Sequence, residues 1–191
     1  MSRSTLVLIG MMLAPVLPLR VAHAQSVGRA SAAALASARS KENSMREPGG
    51  PQSVTLSADE MASLVEANLD RGARKALDSI TIRLDYGRLT LQARLVTAEL
   101  GSEYLGPMIY MLEEREPLAV AGPATAARAG LLTWAPDSLV IKSFPLPLAM
   151  IPKLVNRLTG TTDGTIPIAV PPTVRYIRIA PSGVTFSRTA D

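Results

Sequence analysis

Hydrophobic and polar residues alternate along two neighbouring segments in the middle of the chain, residues 79–85 and 88–97. A period of two places successive side chains on opposite faces of a β-strand. Between the segments lies Asp85-Tyr86-Gly87, in which glycine is free to adopt the positive φ of a tight hairpin turn. The pattern predicts a β-hairpin with one apolar face, formed by Ile80, Ile82, Leu84, Leu89, Leu91, Ala93 and Leu95.

A helical pattern precedes the hairpin. Ser57 is a favourable N-cap residue, and Glu60 three positions later completes a capping box. We therefore expect an amphipathic helix that extends to about Leu69; Gly72 marks either its end or a kink, after which residues 73–77 add one more turn. Its apolar stripe consists of Met61, Leu64, Val65 and Leu69.

The segment 144–158, FPLPLAMIPKLVNRL, joins a strand end to a second helical pattern. Pro145 and Pro147 remove two backbone donors and cannot continue a central strand. Pro152 fits the first turn of the helix that follows, and Gly160 ends it. We predict a helix that covers the sheet, with an apolar stripe of Leu148, Ile151, Leu154, Val155 and Leu158.

Short apolar segments separated by glycine and proline predict further strands. They are residues 118–121, 125–129, 130–134, 138–143, 166–170, 174–179 and 184–187. For residues 99–116 the pattern leaves helix and strand open. The order of elements predicts an α+β fold, with a long curved antiparallel sheet packed around one or two amphipathic helices.

The first 24 residues have the anatomy of a secretory signal peptide: a positive start, an apolar segment and a small-x-small cleavage site ending at Ala24. A membrane anchor is the alternative, but the apolar segment is short and contains Pro15 and Pro18. Residues 25–52 are rich in Ala, Ser and Gly and predict a flexible linker. Residues 53–191 then form a single α+β domain. We expect an exported protein, either periplasmic or extracellular.

The composition limits the functional classes. Hydrophobic residues make up 47% of the chain but aromatic residues only 4%, so the core is aliphatic and stacking platforms for nucleic acid are scarce. The net charge of +4 falls to +2 once Arg3 and Arg20 of the leader are removed. We expect no nucleic-acid partner; peripheral contact with an anionic membrane stays open.

The usual catalytic and metal-binding side chains are scarce. The chain has no cysteine, and its one histidine, His23, lies in the leader. We therefore expect no metal site, no cofactor and no catalytic residues. The alternative is a hydrolase that uses a Ser–Lys pair or two carboxylates. Its candidate residues are Lys41, Lys75, Lys142, Lys153, Asp59, Glu99, Glu103, Asp137 and Asp163.

A sheet and helices lined by aliphatic side chains with few aromatic residues favour an apolar groove between them, with a tightly packed core as the alternative. The predicted groove lining is Phe144, Leu148, Ile151, Leu154, Leu91 and Ile177. Arginines recur on the strands and form either a solvated sheet face or a basic rim for an anionic headgroup. They are Arg83, Arg88, Arg94, Arg175 and Arg178.

Three stretches together resemble YpmS-like uncharacterised bacterial envelope proteins. The first is residues 54–69, followed by a glycine-turn hairpin, and the second is the strand that runs into Phe144-Pro145-Leu146-Pro147 and its helix. The third is the ending of the chain, which begins at residues 170–174. The resemblance covers about residues 54–187 and is similar in layout to tubular lipid-binding (TULIP-like) domains. It implies a long curved sheet that encloses an apolar channel, and no catalytic residues. Members of the group are commonly tethered by an N-terminal membrane segment, whereas the leader here resembles a cleaved one.

Together these observations predict an exported, non-enzymatic protein that binds a lipid or another apolar ligand in a groove between sheet and helix. The alternative is an envelope scaffold or assembly protein with a fully packed core that acts through protein–protein contacts. No particular protein partner is indicated.

Overall fold

The computed structural model describes residues 27–69, 71–99, 110–128 and 130–189. The α-helices in these ranges are α1 (Ala32–Arg46), α2 (Ala58–Asn68), α3 (Arg71–Ala76) and α4 (Ile151–Thr159). Short 3-10 helices cover Thr97–Glu99 and Leu148–Met150. The strands are β1 (Val27–Arg29), β2 (Ser53–Leu56), β3 (Leu77–Asp85), β4 (Arg88–Val96), β5 (Arg115–Arg128), β6 (Leu131–Trp134), β7 (Ser138–Ile141), β8 (Phe144–Pro145), β9 (Ile166–Ala169), β10 (Tyr176–Ala180) and β11 (Gly183–Ser187).

The strands form two antiparallel sheets. The larger has eight strands in the order β1-β3-β4-β5-β6-β9, with β7 pairing with β5 and β8 pairing with β7. The smaller has three strands in the order β10-β11-β2. The predicted α+β fold class, an antiparallel sheet packed with helices, is confirmed, and the described sheets do not close into a barrel.

The predicted hairpin is confirmed as β3 and β4. Asp85 pairs with Arg88, and Gly87 in the turn has a φ of 69°. The backbone N–H of Gly87 donates to the carbonyl of Ile179 in β10 at 3.0 Å, which links the hairpin to the smaller sheet.

The prediction that Gly122 separates two strands is wrong, because β5 runs without a break from Arg115 to Arg128. A side chain at Gly122 would place its Cβ 2.1 Å from the carbonyl oxygen of Ala135. Glycine therefore allows the close approach of two backbones within the sheet. The indole N–H of Trp134 donates to the carbonyl of Gly122 at 3.2 Å and secures this contact.

Both predicted helices are present. The capping box of α2 is confirmed, with Ser57 accepting from the N–H of Glu60 and the Glu60 side chain accepting from the N–H of Ser57. Helix α4 has a proline near its start and ends at Gly160, whose φ of 68° is left-handed. The described residues contain no helix long and apolar enough to cross a membrane.

The prediction of a flexible linker over residues 25–52 is wrong for the part that the structure describes. Helix α1 occupies residues where a linker was expected, and its Ala38 and Met45 are fully buried in the common core. The last carbonyls of α1 are bound from the far end of the chain. Thr173 Oγ1 donates to the carbonyl of Met45 at 2.9 Å, and Arg188 donates to the carbonyls of Met45 and Glu47. Strand β1 and helix α1 therefore belong to the folded domain, and the predicted signal peptide lies outside the described residues.

Candidate functional site

A small apolar cavity lies between the helices and the larger sheet. Its volume is about 40 Å³, and it is enclosed by side chains that are almost all aliphatic. The helices contribute Val65, Leu69, Ala73, Val155 and Thr159, and the strands contribute Leu77, Leu91, Leu118, Val120, Trp134, Leu139 and Ile166. The Thr159 hydroxyl donates to the carbonyl of Val155 at 2.8 Å, so its polar group is satisfied within α4.

The single tryptophan of the chain stands at this cavity. Trp134 is only 1% exposed, and its indole N–H is already bonded to Gly122. The ring therefore presents apolar surface to the cavity. Sequence reasoning missed this residue because a lone tryptophan in a short strand looks like an ordinary core residue.

The predicted groove residues are spread over several environments. Leu91 lines the apolar cavity. Ile151 and Leu154 are buried on α4 beside it, and Ile177 packs half-buried in the smaller sheet. Phe144 and Leu148 instead lie on the surface, with exposed fractions of 38% and 70%.

The backbone explains why Leu148 departs from the predicted stripe. Residues Leu148–Met150 form a 3-10 helix, and the α-helix begins only at Ile151. A 3-10 helix has 3.0 residues per turn, so Leu148 falls out of phase with the buried face of α4. Phe144 lies in a two-residue strand at the edge formed by β8, where the prolines end the ladder.

A polar groove adjoins the cavity. It consists of two neighbouring hollows of about 440 and 510 Å³ that share Ala30, Glu66 and Arg74. The second hollow also shares Leu69 and Leu77 with the apolar cavity. We call these two hollows the arginine groove, because Arg29, Arg39 and Arg74 line them.

Three of the candidate acid–base residues, Lys41, Lys142 and Asp137, are held in ion pairs, and Glu103 lies outside the described residues. Lys41 donates to Glu60 at 2.8 Å, and Lys142 donates to Glu116 at 3.1 Å. The backbone N–H of Glu113 lowers the pKa of Glu116, and the hydrogen bond to Glu116 raises the pKa of Lys142. Both shifts favour the charged forms, so this pair is not tuned to exchange a proton near neutral pH.

The arginines predicted to form a basic rim lie elsewhere. Arg88 makes a two-pronged ion pair with Asp137, at 2.6 and 2.8 Å, and the hydrogen bond to Asp137 raises the pKa of Arg88. Arg83 lies 3.4 Å from Asp85. The groove arginines come instead from β1, α1 and α3, and two of them, Arg29 and Arg39, fall in the stretch predicted to be a linker.

Three edge strands, β1, β2 and β9, are protected from pairing with another strand. The backbone N–H of Arg29 in β1 donates to Asp59 at 2.7 Å, and the Thr55 carbonyl of β2 accepts from Lys41 at 2.9 Å. Strand β9 carries Pro167, which has no N–H to offer. These edges do not favour docking by strand addition.

Within the described ranges, no group of three or more His, Cys, Asp or Glu side chains is placed to hold a metal ion. Comparison of the chain with family models, curated proteins and solved structures finds no match.

Proposed function

We propose that this protein is an exported, non-enzymatic carrier or sensor that binds an acyl chain or a similar apolar ligand between the larger sheet and helices α2, α3 and α4. The observation that carries the proposal is the position of the apolar cavity. It lies beneath the helices and meets the arginine groove at Leu69 and Leu77. An apolar cavity that adjoins a polar groove is suited to an amphiphile.

The cavity of about 40 Å³ is far smaller than the roughly 150 Å³ that holds a benzene molecule. Binding therefore requires α3 and α4 to separate. Helix α3 has only six residues and includes Gly72, and α4 ends in the left-handed Gly160. Each buried methylene contributes about 0.8 kcal/mol, so a ten-carbon chain offers about 8 kcal/mol to offset this opening.

Export follows from the signal peptide predicted in residues 1–24. Cleavage after Ala24 would leave Gln25 and Ser26 before β1, which is the first described strand. The mature chain would then begin with the structured domain. Mass measurement of the protein recovered from the periplasm or medium tests this, since retention of the leader adds its full mass.

Uptake of a fluorescent fatty acid tests ligand binding. Ala73→Leu adds three carbons inside the cavity, and we expect it to weaken uptake by at least about tenfold while the domain stays folded. Leu148→Ser is the matched control, because Leu148 is exposed and outside the cavity.

Two results would contradict the proposal. One is equal uptake by wild type and Ala73→Leu. The other is no uptake by the wild type together with no acyl species in lipid extracts of the purified protein. The second result would favour the scaffold with a packed core.

A further inference from the structure

The arginine groove lies where β1, β3 and helices α1, α2 and α3 meet. Its first hollow is formed by the start of α1 and by α2, and its second by the end of β1 and the irregular part of β3. The register of β3 shifts between Asp78 and Thr81, and Ser79 there has a φ of 55°, which is left-handed backbone in a residue other than glycine. The bulge lies next to Leu77, which lines both the second hollow and the apolar cavity.

Positive charge dominates this groove. Arg74 is fixed by two neutral carbonyls: its Nε donates to Leu69 at 3.0 Å and its Nη2 to Ala67 at 2.7 Å. These bonds hold the guanidinium in place without neutralising its charge. In the described part of the chain, Arg29 and Arg39 have no ion-pair partner.

The carboxylates at the groove do not balance these cations. Two carboxylates line the groove, Glu66 and Asp78, and Asp78 is paired with Arg115 at 2.7 Å. Outside this lining, Asp59 accepts from the backbone N–H of Arg29 at 2.7 Å, and Arg39 interacts electrostatically with Glu42. Three guanidinium groups and two carboxylates line the groove, so its lining carries one net positive charge. Guanidinium groups bind phosphate and carboxylate oxygens through pairs of hydrogen bonds.

We infer that the arginine groove binds the anionic headgroup, a phosphate or carboxylate, of the amphiphile whose chain enters the apolar cavity. This inference rests on the proposed function, because it assigns the two ends of one ligand to the arginine groove and to the adjoining apolar cavity. Leu69 and Leu77 lie at the junction between headgroup and chain. The volume of either hollow, about 440 and 510 Å³, is that of a small-molecule site.

Calorimetric titration with three probes separates the two ends of the ligand. Decyl phosphate carries both the chain and the anion, decanol carries only the chain, and inorganic phosphate carries only the anion. We expect wild type to bind decyl phosphate at least about tenfold more tightly than decanol. This gain should shrink between about 50 mM and about 500 mM salt, because exposed charges are screened.

Arg29→Gln and Arg39→Gln should each remove most of that gain and leave decanol affinity unchanged. Neither guanidinium makes an ion pair in the described structure, so these variants are expected to fold. Arg175→Gln is the matched control, because it removes the same charge from an exposed position outside the groove.

The results of the titrations distinguish failure of the headgroup inference from failure of the proposed function. Equal affinities for decyl phosphate and decanol, or a gain that survives both groove substitutions, would overturn the inference and leave chain binding intact. Arginine-dependent binding of inorganic phosphate without any binding of decanol would overturn the proposed function and identify a site for free anions instead. Absence of binding by all three probes would overturn both.

Discussion

The substitution Met45→Ala tests whether α1 is an integral part of the domain. Met45 is fully buried in the last turn of α1 and belongs to the same core as α2 and both sheets. The bonds from Thr173 and Arg188 reach the Met45 backbone carbonyl, so the substitution leaves them in place. The change therefore removes side-chain packing alone.

The expected loss follows from the complete burial of this side chain. Transfer of a methionine side chain out of water is worth about 1.5–3 kcal/mol. The cavity left behind raises the cost of a methionine-to-alanine change to about 2–5 kcal/mol. For a urea m-value of about 2 kcal/mol/M, a loss of about 3 kcal/mol lowers the unfolding midpoint by about 1.5 M.

Urea unfolding followed by Trp134 fluorescence measures this loss, because Trp134 is the only tryptophan and is buried in the core. Asn43→Ala is the control, since Asn43 lies on the exposed side of the same helix. Equal midpoints for wild type and both variants would show that α1 adds nothing to the stability of the domain and would refute the account of its docking.

Three further substitutions test other parts of the fold. Burial acts to raise the pKa of Glu60, but hydrogen bonds from Lys41 and its other donors outweigh burial and lower that pKa. The ionised Glu60 side chain therefore stabilises the fold above the ordinary pKa of 4.5, and this contribution is lost as the pH falls below it. In Glu60→Gln, the free energy of unfolding should therefore fall less steeply as the pH is lowered than it does in the wild type. Burial raises the pKa of Glu42, which destabilises the fold above pH 4.5, so Glu42→Gln should raise the urea midpoint near neutral pH and leave it unchanged in acid. Gly122→Ala forces a Cβ against the carbonyl of Ala135 and should cost about 1–3 kcal/mol in the same unfolding assay; an unchanged midpoint would contradict the close approach.

Local sequence patterns correctly predicted the secondary-structure elements that are determined by residues close together in the chain. The period-two alternation and the glycine turn were sufficient for β3 and β4, and the Ser57–Glu60 capping box was sufficient for the start of α2. Both signals depend on residues a few positions apart, so sequence alone contains them.

Helix α1 was missed because its stabilising contacts are distant in sequence. Its buried face contains Ala38, Glu42 and Met45, of which only the last is large and apolar. The residues that bind its C-terminal carbonyls lie 128 to 143 positions away. The composition of this segment therefore resembled that of a linker, whereas contacts with residues distant in sequence stabilise it as a helix.

The candidate site was predictable only in part. The segment 144–158 was correctly predicted to carry a covering helix, and Leu91 was correctly placed on the inner face of the sheet. The arginine groove was not predictable, because two of its arginines lie in the misjudged segment and the third follows α2. The bulge at Ser79, beside the groove, has no signature in the alternation pattern.

The most direct test of the central claim uses Trp134 as a reporter of the cavity it lines. Bromine quenches tryptophan fluorescence only at short range, so dibrominated stearate should quench Trp134 emission in a saturable way. Unbrominated stearate should not quench this emission, and it should reduce the quenching by competing with the brominated chain. Ala73→Leu should remove the quenching. Unchanged Trp134 emission under conditions where stearate binds would place the ligand elsewhere and contradict an acyl-chain site between the sheet and its helices.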